Sequence, residues 1–319
     1  MKKIRILTIA CWVITALALV GLATWFLTGR IFGIGAEGMS IFGWETLTGP
    51  FEVVGDYRVS SDNVNSIYID WVAGDITAIP YDGSDIHIIE SARRELRDDE
   101  MLRYSASGGT LTIKFSERSS WSANMISKNL EVYIPRALSE NFDKFTVDST
   151  SGAVSVESIN AGAFKTDSVS GSLNIVNVTS STFTADTTSG SITISFVSAD
   201  DMRLDSVSGA IRISDVTARS VKGDTTSGSQ ELSGAFEHVD LESVSGKLTV
   251  TSTVVPASLR ADSTSGGITI TVPDEGAISV NFSSVSGKLT SDIPTTTKGR
   301  DAQFQLSTVS GGAKIQALG

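Results

Sequence analysis

From Phe145 onward, apolar and polar residues alternate in short runs, each closed by a Ser-Gly pair. The closing glycines are Gly152, Gly171, Gly190, Gly209, Gly228, Gly246, Gly266, Gly287 and Gly311, at steps of 19, 19, 19, 19, 18, 20, 21 and 24 residues. Two and four residues after them lie apolar pairs such as Val154/Val156, Leu173/Ile175, Ile192/Ile194, Ile211/Ile213, Leu248/Val250 and Ile268/Ile270. A period of two predicts a strand with one face buried. Seven and five residues before the glycine a second set recurs, as in Phe164/Thr166, Phe183/Ala185, Met202/Leu204 and Leu259/Ala261. Ser or Thr always stands three before the glycine and Ser one before it, so that face starts large and ends small.

Neither strand of such a unit can bury its face alone, but stacked units about 4.8 Å apart share one core. The pattern predicts an all-β chain folded as a parallel β-solenoid (β-helix) of about 19-residue coils. The alternative is an antiparallel meander turning at Ser-Gly, an arrangement with no reason to keep a constant period. A second periodicity runs inside the first. The residue two before glycine alternates Thr and Val, and five before it the series Val147, Thr166, Ala185, Leu204, Gly223, Leu241, Ala261, Phe282 alternates small and large after its first pair. This predicts a 38-residue pair of coils in which large side chains fill space left by small ones. The Gly228 coil, with Gln230 and Glu231 where apolar residues belong, is expected to be irregular or edge-like.

Residues 55–144 read as opening strands and 145–319 as the regular repeats. Ile67, Ile69 and Trp71 share one face; Ile76 and Ile79 follow the Gly74-Asp75 turn. Ile86/Ile88, Leu111/Ile113/Phe115 and Leu130/Val132/Ile134 mark further strands, and the charged stretch 93–102 reads as a solvated loop or short helix.

Residues 6–27 carry no charge and are long enough to span about 30 Å of hydrocarbon as a helix. Lys2, Lys3 and Arg5 precede them, and after Arg30 no basic residue follows until Arg58. The positive-inside rule places residues 1–5 in the cytoplasm and the rest outside. Residues 28–54 then form a juxtamembrane linker, and 55–319 an extracytoplasmic domain held at the cell membrane by a single pass. A cleaved signal peptide, with Ala36 near the cleavage point, is the competing reading. Cys11 lies too close to Arg5 for a lipoprotein signal, and as the only cysteine it excludes an internal disulfide.

The recurrent S-G-x-[VIL]-x-[VIL] phrases, with IYIDWVAGDITAIPYDGSDIHIIE and EVYIP upstream, resemble the bacterial putative-adhesin (DUF4097-type) family of β-helical proteins of unknown function. The resemblance covers about residues 55–318. It implies a β-helical architecture, in some members behind one N-terminal transmembrane helix, and supplies no catalytic residues.

The net charge of −11 disfavours a nucleic-acid surface. Four residues before glycine an acid recurs: Asp148, Asp167, Asp186, Asp205, Asp224, Glu242 and Asp262. One coil per repeat stacks these as a column of carboxylates about 5 Å apart, whose repulsion must be offset by turn amides, hydroxyls, water or a cation such as Ca²⁺. The structural reading has the acids capping turns beside Ser and Thr. A glycan-active enzyme could use clustered carboxylates, but no basic residue is evident beside the column. His87 and His238 are isolated in the sequence, and no glycine loop opens a helix, so no cofactor site is expected. Asn177-Val-Thr and Asn281-Phe-Ser fit a glycosylation pattern without functional weight in a bacterial envelope. The function expected is a non-catalytic adhesion, scaffold or envelope-sensing module that binds a protein or glycan.

Overall fold

A computed structural model describes residues 49–117, 126–296 and 303–319; the expected span 6–27, Cys11, Ala36 and most of the linker lie outside them. Among the described residues no helix is long and apolar enough to cross a membrane. The described strands lie in the unit Leu47–Gly319 and form an all-β, solenoid-like stack.

Strands one repeat apart pair in parallel at a register of 19 residues. Leu173 lies beside Val154 and Ile192, Phe183 beside Phe164 and Met202, and Ile192 beside Ile211. Parallel register excludes the meander, since hairpins joined at Ser-Gly would run antiparallel. The inward rows are those the periodicity marks. Phe145, Phe164 and Phe183 stack with centroids 5.8 and 5.0 Å apart, and Met202, Val221, Val239 and Leu259 continue the buried row. Opposite them run Val154, Leu173, Ile192, Ile211, Leu248 and Ile268, all buried.

The Ser-Gly corner depends on close approach. A Cβ on Gly171, Gly190, Gly209, Gly228, Gly246 or Gly266 would lie 1.7–1.8 Å from the carbonyl oxygen of the preceding corner glycine. No side chain fits there, so the glycines stack backbone on backbone. The constant Ser/Thr three residues earlier closes the same turn: the N–H of Gly171, Gly209 and Gly266 donates to Ser168, Ser206 and Ser263 Oγ at 2.8 Å. The opposite corner is left-handed at Ser158, Asn177, Phe196 and Asp215, with φ of 54–56°.

Stack order departs from chain order at both ends. At the C-terminal end, Ser258–Ser263 pairs with Gln303–Thr308, which pairs in turn with Ile278–Ser284. The Gly311 coil therefore sits between the Gly266 and Gly287 coils. At the other end Ser66–Ala73 lies between Thr110–Lys114 and Phe142–Ser151. Antiparallel pairings of Arg103–Ser107 with Thr110–Lys114, and of Asp85–Ala92 with both Lys128–Pro135 and Glu52–Ser60, finish that end. All coils carry the same corner, so spacing alone does not choose neighbours. In stack order the row five before glycine reads Ala185, Leu204, Gly223, Leu241, Ala261, Leu306, with Leu306 rather than Phe282 beside Ala261. The predicted alternation of volume holds over these six and ends at Leu306, whose other neighbour is the large Phe282. The Thr/Val alternation lies on the outer face instead, where Val169 is 52% exposed, so it plays no part in core packing.

One further expectation, that of the Gly228 coil, is corrected and two others are made specific. Ile76 and Ala78 face the core and Ile79 faces outward, because the strand starts at Ile76. The Gly228 coil is interior: Gln230–Ser243 pairs on both sides, and Gln230 is buried. The Gln230 amide occupies the space left by Gly223, where a Cβ would meet Gln230 Oε1 at 2.2 Å, and its Nε2 donates to Gly223 O (3.1 Å) and Glu242 O (2.8 Å). The missing residue of this 18-residue step is absorbed by a register shift between Ile213 and Val216, opposite Gly234. The charged stretch contains a 3₁₀ turn, Asp98–Glu100, whose Glu100 is buried against Arg94.

Candidate functional site

Each predicted acid is the in-register neighbour of the next: Asp148 of Asp167, Asp167 of Asp186, Asp186 of Asp205, Asp205 of Asp224, Asp224 of Glu242 and Glu242 of Asp262. The fold therefore brings Asp148, Asp167, Asp186, Asp205, Asp224, Glu242 and Asp262 into one ladder on the outer face of the pre-glycine sheet. It also adds Asp70, paired with Asp148, and Lys114 beyond it. The phrase Asp70-Trp71-Val72-Ala73-Gly74 is a degenerate copy of the corner motif, with an acid four before a glycine and Val two before it. Trp71 stands where the other coils carry Ser or Thr.

The ladder is partly neutralised from its own strands, which corrects the expectation that basic residues are lacking beside it. Two positions upstream, on the same outward face, stand Lys165, Arg203, Lys222 and Arg260. Lys165 Nζ lies 2.5 Å from Asp167, Lys222 Nζ lies 3.0 Å from Asp224, and Arg203 and Arg260 contact Asp205 and Asp262. Arg260 also reaches Glu242 at 3.2 Å. The Tyr68 hydroxyl donates to Asp148 Oδ2 at 2.9 Å; burial and this bond push the phenol up to about 12. Asp167, Asp205, Asp224, Glu242 and Asp262 are therefore ion-paired across the strand face, while the Ser and Thr side chains make the corner bonds expected of the acids.

Asp186 differs from the others. Its coil has Thr184 at the upstream position, and among the described residues no Lys or Arg forms an ion pair with its carboxylate. Burial first, then the charges of Asp205 and Asp167, push its carboxyl up to about 7. Burial raises Asp205 against the pull of Arg203, and burial with Asp224 raises Glu242. Five successive inner oxygens, Oδ1 of Asp148, Asp167, Asp186, Asp205 and Asp224, are buried without a hydrogen-bond partner.

Among the described residues no group of three or more His, Cys, Asp and Glu side chains is placed to hold a metal ion. A surface cavity of about 670 Å³, lined by Thr217, Phe236, Glu237, Val254 and Glu275 among others, contains none of the ladder carboxylates. His87 lies 2.7 Å from Asp56 and beside Tyr133, and His238 Nδ1 lies 2.9 Å from Ser258 Oγ, neither near the ladder acids in register. Asn177 sits in the left-handed corner, bonded to Ser158.

Away from the ladder, one ionic feature is not marked in the sequence. Lys128 and Glu90 are fully buried 2.5 Å apart, and Lys128 Nζ also donates to Glu100 O (2.6 Å) and lies 4.0 Å from the Phe115 ring centroid. Desolvation lowers the lysine from its usual range. Trp71 Nε1 donates to Lys128 O at 2.8 Å, so this cluster packs the end of the stack.

In fold the chain is similar to a putative adhesin of Parabacteroides distasonis ATCC 8503, at 13% identity and a TM-score of 0.54, over 84% of this chain and 98% of the other. It is also similar to a putative adhesin of Parabacteroides merdae ATCC 43184, at 12% identity and a TM-score of 0.52, over 83% and 96% of the two chains. A third similar structure is a putative lipid binding protein of P. distasonis ATCC 8503, at 16% identity and a TM-score of 0.50, over 85% and 98%. At these identities the likeness concerns the fold alone. No curated protein matches the chain. Residues 64–316, which run from the first coil to the last, match the Toastrack DUF4097 model, and the chain belongs to that family.

Proposed function

We propose that the chain is a non-catalytic binding module of adhesion type, held at the cell membrane by residues 6–27 and displaying its coils outside the cell. The observation that carries this reading is the outer face itself. It offers a continuous row of acids at coil spacing, most of them paired with Lys or Arg, suited to many weak contacts with an extended protein or glycan. The names of the two adhesin-like neighbours agree with this reading, and the uncharged span with basic residues before it supports the anchor.

The test has two arms. Intact cells expressing the full chain are treated with protease; loss of the 55–319 region with retention of a membrane-bound N-terminal fragment is expected, and full protection overturns the topology. Detergent-purified chain is then applied to immobilised glycans and matrix proteins. Saturable binding without release of reducing sugar is expected, whereas sugar release supports a glycan-active enzyme instead.

A further inference from the structure

We propose that the centre of the ladder holds a shared proton, with Asp186 donating it to Asp167, and that losing this proton loosens the middle of the stack, making the coil face pH-responsive. The argument starts from geometry. Asp186 is flanked in register by Asp167 on the strand Val154–Ser168 and by Asp205 on Ser198–Ser206. Parallel pairing fixes the strands about 4.8 Å apart, so the three carboxyls cannot separate without breaking the sheet.

The charged groups facing Asp186 are few. From one neighbouring strand come Asp167 and Lys165, and from the other Asp205 and Arg203; its own strand offers Thr184 and, just beyond its end, Thr188. Lys165 is engaged by Asp167 and Arg203 by Asp205. Two cations thus face three carboxylates, and the unmatched one is central. The inner oxygens of all three are buried without partners. A bare carboxylate oxygen in that setting is costly, but a proton on Asp186 turns one of these acceptors into a donor, and the in-register Asp167 carboxylate can accept from it.

The carboxyl's raised value, about 7, agrees with this arrangement and sets the sign of the effect. A carboxyl that protonates more readily in the fold than in the unfolded chain stabilises the fold in acid, and that contribution is lost as pH rises from the ordinary carboxylate range through about 7. Arg219–Asp201, an exposed pair at 2.7 Å whose acid lies four residues upstream of Asp205 on the strand Ser198–Ser206, serves as a control outside the ladder.

The experiment compares the full chain in detergent with its Asp186→Asn and Asp201→Asn variants. Asparagine keeps the shape and the donor but removes the charge. Asp186→Asn is expected to raise Tm by about 2–4 °C at pH 8 and by less than about 1 °C at pH 4. Asp201→Asn is expected to show no such pH-dependent gain. Infrared spectra of the native chain at pH 6.5 should carry a protonated-carboxyl band that the Asp186→Asn variant lacks. Parallel Tm curves for the native chain and Asp186→Asn, or no such band at pH 6.5, overturn the proposal.

Discussion

Gly266 and Gly267 are adjacent, yet alanine should have opposite effects at the two positions. A Cβ at Gly266 would sit 1.8 Å from Gly246 O and 2.7 Å from Ser263 Oγ. An acceptable carbon–oxygen contact is about 3.3 Å, so the neighbouring coil must retreat by about 1.5 Å. Three bonds span or brace that corner: Gly266 N–H to Ser263 Oγ (2.8 Å), Ser265 N–H to Val244 O (2.9 Å) and Leu248 N–H to Gly267 O (3.0 Å). The two that cross to the neighbouring coil are lost when stretched that far, and the one within the coil is lost because the Cβ displaces Ser263 Oγ, at about 1 kcal/mol each. Gly266→Ala should therefore destabilise by about 3 kcal/mol. At Gly267 the nearest atom to a Cβ is Gly312 O at 3.6 Å, an ordinary contact, and the backbone is not left-handed. Gly267→Ala should be neutral or stabilise by up to about 1 kcal/mol, through reduced freedom of the unfolded chain. Equilibrium unfolding in guanidinium, followed by far-UV circular dichroism, measures both variants. Equal midpoints for the two would refute the claim that the corner is closed by backbone-on-backbone packing.

Phe196 adopts a left-handed conformation (φ 55°) and is 62% exposed, beside Asn177 and Asp215 in the adjacent coils. Phe196→Asn should raise stability by about 0.5–1 kcal/mol, since Asn tolerates that backbone region, and a higher thermal midpoint would register it. Gln230→Ala removes the donor to Gly223 O and Glu242 O and opens a cavity, so a loss of about 2–4 kcal/mol is expected in the same unfolding assay. Lys128→Met leaves the Glu90 carboxylate buried without its cation; a loss of about 3–5 kcal/mol and an altered near-UV signal from Trp71 should follow, and an unchanged Tm would contradict it.

Much of the ladder was legible because a strand has a period of two and the acid keeps a constant distance from the corner. Asp70 was harder to find, since Trp71 and Ala73 replace Ser/Thr and Ser in its phrase; the acid-to-glycine spacing was the signal that could have revealed it. The basic row two positions upstream was also readable from Lys165, Arg203, Lys222 and Arg260. It is interrupted by Thr146, Thr184 and Asp240, so it does not present as a motif. Gln230 reads as a defect in one dimension because the vacancy it fills, at Gly223, lies seven residues earlier and faces it only across the coil.

By itself the sequence determined the unit: which side chains point inward, where each coil turns, and that an acid recurs at one outward position. These are local properties, set by alternation along a strand and by the small residues at a corner. Only the tertiary structure decided which coil lies against which. The corners are interchangeable, so the order of the Gly266, Gly311 and Gly287 coils, which sets Ala261 beside Leu306 and Leu306 beside Phe282, is not contained in the spacing. The same stacking decides the chemistry of the ladder. Seven acids look equivalent along the chain, and Asp186 becomes distinct only between two neighbours whose cations are already engaged.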